Sequence, residues 1–174
     1  LGVITFEPMP KMYFNKSIKN FRISSLDQKK IILQNLDIDF VIIKKFDKKF
    51  SKISSKIFIK DILNKKLNAK YIFVSNNFRF GNKREGNVKQ LIKEEKNFGF
   101  KIIKPKPLVS KNQVVSSTLI RKLLAIGRLD KANKLLKRNW SIDGIVEKGR
   151  QQGKKIGFPT CNIDNKKYVI AMPG

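Results

Sequence analysis

Residues 71–103 read YIFVSNNFRFGNKREGNVKQLIKEEKNFGFKII, and this stretch decides the fold class. The β-branched and aromatic run Tyr71–Val74 predicts a buried strand, and a polar loop follows it as far as Gly86. Apolar spacing after Val88 predicts a helix to about Asn97, ended by Gly99. The run Phe100–Ile103 predicts a second strand. Strand, helix and strand in this order indicate a βαβ unit with parallel strands.

The same alternation extends towards the N-terminal side of this stretch. Short apolar runs predict strands at Val3–Phe6 and Phe40–Ile43, the latter buried on both faces. Between and after them, helices are expected from Ser25 or Asp27 to about Leu36 and from Ser54 or Ser55 onwards. The fold class is therefore α/β, with a mostly parallel sheet covered on both faces. In such sheets ligands bind outside the carboxyl ends of the strands, where the polar loops lie.

The pattern changes near residue 138. A helix opening at Ser116–Thr118 and ending at Gly127 is followed by a short helix from Leu129 to Lys137. After Arg138, residues 140–146 alternate like a strand, and a glycine-punctuated segment follows. We predict a domain of residues 1–138 and the beginning of an all-β domain at residues 139–174.

The composition bounds the possible partners. Net charge is +26, but Lys occurs 32 times and Arg only 7 times, and the lysines are spread along the whole chain. Proteins that read bases favour arginine, so we predict anionic small ligands and no nucleic acid as partner. The absence of histidine excludes a histidine base, triad or metal ligand from these residues. The single cysteine, Cys161, fits the cytoplasm, and no apolar run approaches the roughly 20 residues that span a bilayer.

Residues 115–121, Val-Ser-Ser-Thr-Leu-Ile-Arg, form the first candidate site. Hydroxyl groups and unpaired N–H groups at a helix start, with the helix dipole, favour a phosphate there. Arg121, one turn into the helix, can reach the same place. The alternative is plain N-capping beside a surface arginine.

Two further segments could contact a flat ligand. In residues 76–81, Asn-Asn-Phe-Arg-Phe-Gly, the aromatic side chains could bracket a ring system while Asn77 supplies amide hydrogen bonds. The alternative is that Phe78 and Phe80 are buried in the core. In residues 5–10, Thr-Phe-Glu-Pro-Met-Pro, two prolines could shape a pocket wall or simply end a strand.

The fourth segment, residues 149–162, reads GRQQGKKIGFPTCN. Its glycines, at 149, 153 and 157, allow backbone N–H groups to approach phosphates. Thr160 and Asn162 offer neutral oxygen ligands of the kind that Mg²⁺ carrying ATP accepts. A glycine-rich hairpin is the alternative, and no Walker loop is present because no Gly-Lys-Ser/Thr follows the glycines.

These four segments, in this order, resemble the prokaryotic bifunctional riboflavin kinase/FMN adenylyltransferase family, also called FAD synthetase. That family carries Thr-Phe-Glu-Pro-His-Pro, Val-Gly-x-Asp/Asn-Phe-x-Phe-Gly, Ser-Ser-Thr-x-Ile-Arg and Gly-Phe-Pro-Thr-x-Asn. The corresponding residues here are 5–10, 74–81, 116–121 and 157–162, and residues 135–138 resemble the segment joining the family's two domains. The resemblance covers nearly the whole chain.

The resemblance implies a Rossmann-like nucleotidyltransferase domain with a parallel sheet, followed by the start of an all-β flavokinase barrel. The first domain would transfer AMP from ATP to FMN, and the second would phosphorylate riboflavin. Roles then follow for matching residues. ATP phosphates would be bound by Ser117, Thr118 and the catalytic Arg121; the flavin side would be lined by Phe6, Pro8, Pro10 and Asn77; kinase ATP would be bound by Gly153, Gly157, Thr160 and Asn162, the last two also holding Mg²⁺.

The chain departs from the family pattern in three places. Met9 replaces the usual histidine, Ser75 the usual glycine, and Lys154 the usual arginine. The family's Gly-x-His-x-Gly-His motif and its kinase carboxylate have no counterpart here, so we expect a fragment lacking both ends and a complete site of neither kind. Two alternatives stay open: a single-activity nucleotidyltransferase of the same fold, and a non-catalytic basic module that binds nucleic acid.

Overall fold

The computed structural model describes residues 1–149 and 152–172, with only backbone described for Gln152 and Lys154. The chain divides into two compact units. Unit 1 comprises Leu1–Thr5, Phe14–Ile43 and Val109–Gly174, and unit 2 comprises Phe6–Tyr13 and Lys44–Leu108. Strands β1 (Gly2–Glu7) and β2 (Phe40–Lys45) pair with each other, and each contributes residues to both units.

Unit 2 contains the predicted βαβ arrangement. Strand β3 (Tyr71–Phe73) pairs in parallel with a later strand at Lys101–Ile103, with Tyr71 opposite Lys101. The helical segment between them consists of α5 (Val88–Lys93) and α6 (Glu95–Phe98), and Gly99 ends it at a φ of 67°. The prediction from residues 71–103 is therefore confirmed.

The remaining elements of unit 2 support the loop after β3. Helices α1 (Pro10–Phe14), α3 (Lys48–Ser51) and α4 (Ser55–Ile57) precede it, and α4 continues as a π-helix at Phe58–Lys66. Within the loop, β4 (Arg79–Phe80) pairs antiparallel with β5 (Gly86–Asn87) around a 3₁₀ turn at Asn82–Arg84. The start of α4 holds this loop in place, because the N–H of its first residue, Ser55, donates to Glu85 Oε1 at 2.6 Å.

Apolar burial stabilises unit 2 around a single cluster. The helix Phe58–Lys66 supplies Ile59, 1% exposed, and α5 supplies Leu91, fully buried. The other buried members come from the π-helix, the residue after β3, β4, α5, and the strand Lys101–Ile103 with the residue before it: Phe58, Leu63, Val74, Phe80, Val88, Phe100 and Ile102.

In the described residues, unit 1 contains four α-helices and short antiparallel strand pairs. The strand Lys101–Ile103 of unit 2 is β6. In unit 1, α2 (Leu26–Gln34) is followed by β7 (Val109–Ser110) and β8 (Gln113–Val114), which pair antiparallel with each other. Helices α7 (Ser117–Ala125) and α8 (Leu129–Leu136) follow. The core is formed by Ile120, Leu124, Ala132 and Val169.

The C-terminal part of unit 1 contains β9 (Val146–Glu147), α9 (Gln152–Lys155) and β10 (Asn162–Ile163). Strands β9 and β10 pair antiparallel, with Glu147 opposite Asn162. Residues 140–145 form no strand, so the predicted strand from Trp140 to Val146 is wrong except at its end. Trp140 instead packs against the unit 1 core and donates from Nε1 to the Ile23 carbonyl at 2.8 Å.

The predicted burial of the strand at Phe40–Ile43 is also wrong. Phe40 is 55% exposed and Ile43 is 40% exposed. A continuous apolar run predicts two covered faces only when other elements pack on both sides. In the described residues the strands pair two by two, and β2 has β1 as its strand partner. The mixed α/β class is confirmed, while an all-β domain at residues 139–174 stays a prediction.

The start of α2 contains a reciprocal pair of capping hydrogen bonds. Ser25 Oγ accepts from the Gln28 N–H at 3.0 Å, and Gln28 Oε1 accepts from the Ser25 N–H at 2.9 Å. Ser25→Ala removes one of them and should lower the free energy of unfolding by about 1 kcal/mol, measured by urea titration. Ser25→Asp keeps an acceptor and should stay within about 0.5 kcal/mol of the unmodified protein. Equal stability of the alanine and unmodified proteins would contradict the capping role.

In the ranges described, no helix has the length and apolar character needed to cross a membrane.

Candidate active site

At the N-terminus of α7, the residue that caps the helix differs from the residues predicted to bind phosphate. Ser116 Oγ accepts from the Leu119 N–H at 3.2 Å, so Ser116 caps the helix. Ser117 and Thr118 are the first two helical residues, and both are exposed. The cap therefore does not use their hydroxyl groups. Unpaired first-turn N–H groups, the dipole and two hydroxyls together favour an anion at this end.

Arg121 is held in place by Phe21, a residue that lies 100 positions away along the chain. The Arg121 Nε–H donates to the Phe21 carbonyl at 2.8 Å, and the guanidinium carbon lies 3.7 Å from the centre of the Phe21 ring. Burial lowers the pKa of Arg121 from its ordinary value. A guanidinium nevertheless keeps its charge at neutral pH, so the side chain is a fixed cation within unit 1.

The segment around Phe21 is itself fastened to unit 1. The N–H groups of Phe21 and Arg22 both donate to the Lys167 carbonyl, and the Val169 N–H donates to the Arg22 carbonyl. Arg138 Nη2 donates to Ser24 Oγ at 2.7 Å, a few residues further along. No pattern in the sequence points to Phe21 as a functional residue. Its contacts are non-local, and only the Phe-Arg-Ile-Ser run beside a helix cap marks the segment in the sequence.

The predicted flavin-side residues lie in unit 2. The Phe6 ring packs on Phe46 and Phe50, with ring centres 5.9 and 5.5 Å apart respectively. Pro10 is the first residue of α1, a position that suits its fixed φ and missing N–H. Pro8 and Met9 are half-buried in the turn between β1 and α1.

Asn77 is positioned by one of the residues that departs from the family pattern. The Ser75 hydroxyl donates to Asn77 Oδ1 at 2.9 Å, and both side chains are exposed. Phe80 is 7% exposed, and its ring stacks on that of Phe78 at 5.5 Å. Of the two interpretations of this loop, burial of the aromatic side chains in the core is the one that the structure shows for Phe78 and Phe80.

The predicted kinase residues lie around β9 and β10. A Cβ added at Gly153 would stand 2.1 Å from the Phe158 carbonyl oxygen, so this close approach requires glycine. A Cβ added at Gly149 would stand 2.0 Å from Asn162 Nδ2. These two glycines thus make room for other parts of the same segment. Gly157 has a φ of 83°, and Thr160 and Asn162 are exposed. The Lys154 side chain lies outside what is described.

The donor chemistry of this segment fits Mg²⁺ bound together with a nucleotide. Among the described residues, no group of three or more His, Cys, Asp or Glu side chains could hold a metal ion alone. Thr160 and Asn162 supply neutral oxygens, and Glu147 lies opposite Asn162 in the strand register. Mg²⁺ prefers oxygen ligands and commonly keeps phosphates and waters in its shell, so few protein ligands suffice.

Comparison with known proteins adds two family matches. Residues 1–119 match the model of the FAD synthetase family, and residues 136–174 match the model of the riboflavin kinase family. The first match covers most of the chain.

Curated relatives match along the whole chain. A bifunctional riboflavin kinase/FMN adenylyltransferase from Buchnera aphidicola of Schizaphis graminum is 39% identical over 96% of this chain and 54% of the relative. The proteins of the same name from Haemophilus influenzae and Escherichia coli K12 are each 34% identical, covering 100% and 99% of this chain and 56% and 55% of the relatives. The chain spans about half the length of these relatives.

The fold is similar to that of a protein whose structure has been solved. It is described as a macrolide-efflux protein from Streptococcus pneumoniae, and it superposes with a TM-score of 0.76 over 99% of this chain and 56% of its own. Sequence identity is 23%, so the similarity concerns the fold alone.

Proposed function

Because the chain belongs to the FAD synthetase family, we propose that the full-length protein phosphorylates riboflavin to FMN and transfers AMP from ATP to FMN, giving FAD. The matches to two family models and the similarity to bifunctional relatives support this proposal. The observation that carries it is the start of α7, where Ser116 makes the cap and Ser117, Thr118 and Arg121 remain for a ligand.

In the AMP transfer, an oxygen of the FMN phosphate attacks the α-phosphorus of ATP. The bond from the α-phosphorus to the bridging oxygen breaks, and pyrophosphate leaves with the negative charge. Ser117 and Thr118 would donate hydrogen bonds to the phosphates, while Arg121 would stabilise the charge that develops on pyrophosphate. Such catalysis depends on placement and electrostatics, which suits a guanidinium fixed in advance.

The flavin side of the AMP transfer is assigned to Phe6, Pro8, Pro10 and Asn77. The half-buried turn from β1 to α1 offers apolar surface, and the exposed Asn77 offers an amide group. Asn77 Oδ1 already accepts a hydrogen bond from the Ser75 hydroxyl, so the side-chain N–H groups of Asn77 would donate to the ligand. The substitution Met9 supplies apolar contact in place of the polar ring common in the family.

The riboflavin kinase step is assigned to the segment from Gly149 to Asn162. Gly153 and Gly157 would bind the ATP phosphates through backbone N–H groups, and Thr160 and Asn162 would hold Mg²⁺. When bound, Mg²⁺ neutralises phosphate charge. The full-length protein would combine a Rossmann-like domain, residues 1–138 here, with a flavokinase barrel that begins at residue 139. Its site of action would be the cytoplasm, with ATP, riboflavin and FMN as partners.

A product assay tests the proposal. The full-length protein is incubated with riboflavin, ATP and Mg²⁺, and the flavins are separated by chromatography. The proposal predicts that FMN forms first and FAD follows. FMN without FAD would support the kinase alone and indicate that Met9 or Ser75 has damaged the AMP-transfer site. Unchanged riboflavin, together with unchanged FMN when FMN is supplied, would contradict the proposal.

A variant at Thr160 separates the two activities. Thr160→Val removes the exposed hydroxyl but keeps the shape of the side chain. Because loss of even an outer-shell partner of a bound metal costs about 10- to 100-fold in activity, FMN formation from riboflavin should slow by at least about tenfold. FAD formation from supplied FMN should be unchanged, since Thr160 belongs to the other assigned site. Loss of both activities, or of neither, would contradict the assignment.

A further inference from the structure

We propose that Phe21 is a positioning residue for Arg121, and that its carbonyl and ring together orient the guanidinium so that both Nη groups are left for a phosphate. This inference rests on the proposed AMP transfer. Phe21 lies outside the four segments identified in the sequence, and no pattern in its own segment predicts a chemical role.

Phe21 contacts two different parts of the guanidinium. Its carbonyl oxygen accepts from Nε, in the plane of the group, at 2.8 Å. Its ring covers a face, with the guanidinium carbon 3.7 Å from the ring centre. An in-plane hydrogen bond fixes the direction of the group, and a stacked ring fixes its tilt. One residue therefore restricts both orientations of a long, flexible side chain.

The donor inventory of Arg121 shows what remains available. A guanidinium carries five N–H donors, one on Nε and four on the two Nη atoms. Phe21 takes the Nε donor, and in the described residues no hydrogen bond uses the Nη groups of Arg121. Two parallel Nη–H groups match the spacing of two phosphate oxygens. The arrangement thus keeps the bidentate end of the side chain for an anion.

Phe21 can fix Arg121 only if its own backbone is fixed. The Phe21 and Arg22 N–H groups donate to the Lys167 carbonyl at 3.3 and 3.0 Å, and the Val169 N–H donates to the Arg22 carbonyl at 2.9 Å. Val169 is 6% exposed and belongs to the same core as Ile120 and Leu124 of α7. The helix that carries Arg121 and the segment that carries Phe21 are therefore anchored to one cluster.

The closing experiment compares Phe21 variants in the full-length protein. Phe21→Leu keeps the backbone carbonyl and an apolar side chain but removes the ring. We expect kcat for FAD formation to fall about tenfold, because a looser guanidinium is misplaced in the transition state. The KM for FMN should stay within about twofold of its normal value, and so should the rate of riboflavin phosphorylation. Phe21→Tyr restores the ring and should restore kcat. Phe40→Leu, the same exchange at an exposed phenylalanine of unit 1, should have no effect.

A double variant shows whether Phe21 acts through Arg121. If it does, Phe21→Leu causes no further loss in a protein that already carries Arg121→Ala. An unchanged kcat in Phe21→Leu, or a full tenfold further loss in the double variant, overturns the inference.

Inorganic pyrophosphate, titrated by calorimetry, gives a readout that needs no turnover. Both Phe21→Leu and Arg121→Ala should weaken its binding, and Phe40→Leu should not. If the unmodified protein makes no FAD, the proposed function fails, and weakened pyrophosphate binding in Phe21→Leu still supports the positioning role. Equal pyrophosphate binding in Phe21→Leu and the unmodified protein, or none in the latter, overturns that role.

Discussion

Arg121→Ala should reduce the kcat of AMP transfer to FMN by about 100- to 1000-fold in the full-length protein, the range found when one preorganised transition-state donor is removed. The effect is large because Phe21 holds the guanidinium before the substrate arrives, so little reorganisation is needed as charge develops on pyrophosphate. Arg121→Lys should recover little of this loss. Lysine keeps the charge but has neither an Nε–H for the Phe21 carbonyl nor a planar face for its ring.

Two controls separate this effect from a general loss of structure. Arg128→Ala removes an equal charge from an exposed side chain three residues beyond α7 and should leave both activities unchanged. Riboflavin phosphorylation should also persist in Arg121→Ala. The measurement is the initial rate of FAD formation from saturating FMN and ATP. A loss in rate of less than about tenfold would mean that Arg121 is not the principal phosphate-binding residue of this site.

Leu124→Ala should have the largest effect on stability. Leu124 is fully buried and packs with Ala132 of α8 and Val169, so truncation leaves a cavity in the unit 1 core. Leucine-to-alanine changes at such sites cost about 2–5 kcal/mol, a large share of a typical stability of about 5–15 kcal/mol. Because Leu124 lies one turn beyond Arg121 on α7, loosening of this core should also disturb the phosphate site.

Thermal and urea unfolding measure this effect. Leu124→Ala should lower the Tm by several degrees, at about 2–4 °C for each kcal/mol in a protein of this size. Ile126, the residue directly after α7, is 49% exposed. Ile126→Ala should therefore lower the free energy of unfolding by less than about 1 kcal/mol. Equal stabilities of the two variants would contradict the conclusion that burial of Leu124 between α7 and α8 stabilises unit 1.

The local elements could be predicted because their signals lie within a few residues. Ser25 and Ser116 have capping side chains directly before apolar repeats, and Gly99 has the positive φ that ends a helix. The parallel pairing of β3 with β6 follows from a helix lying between two apolar runs. Such features depend on local geometry, so one sequence is enough to place them.

The remaining features depend on contacts between distant parts of the chain. Nothing near Arg121 in the sequence indicates that Phe21 accepts its Nε–H, and nothing near Trp140 indicates that Ile23 accepts from its indole. The apolar run at Phe40–Ile43 has the composition of a covered strand, but its burial depends on which elements pack beside it. The helix caps, the parallel strand pair and the family were therefore predictable from one sequence, whereas the carbonyl and ring that contact Arg121 were not.

If this chain contains the phosphate site of an AMP transfer to FMN, the label of α-phosphate-labelled ATP must pass to FAD. The experiment supplies the full-length protein with FMN, Mg²⁺ and ATP that carries radioactive phosphorus at the α position. We expect labelled FAD together with unlabelled pyrophosphate, and a strongly reduced rate in Arg121→Ala. Labelled ADP or AMP without labelled FAD, or an Arg121→Ala protein as fast as the unmodified one, would contradict it.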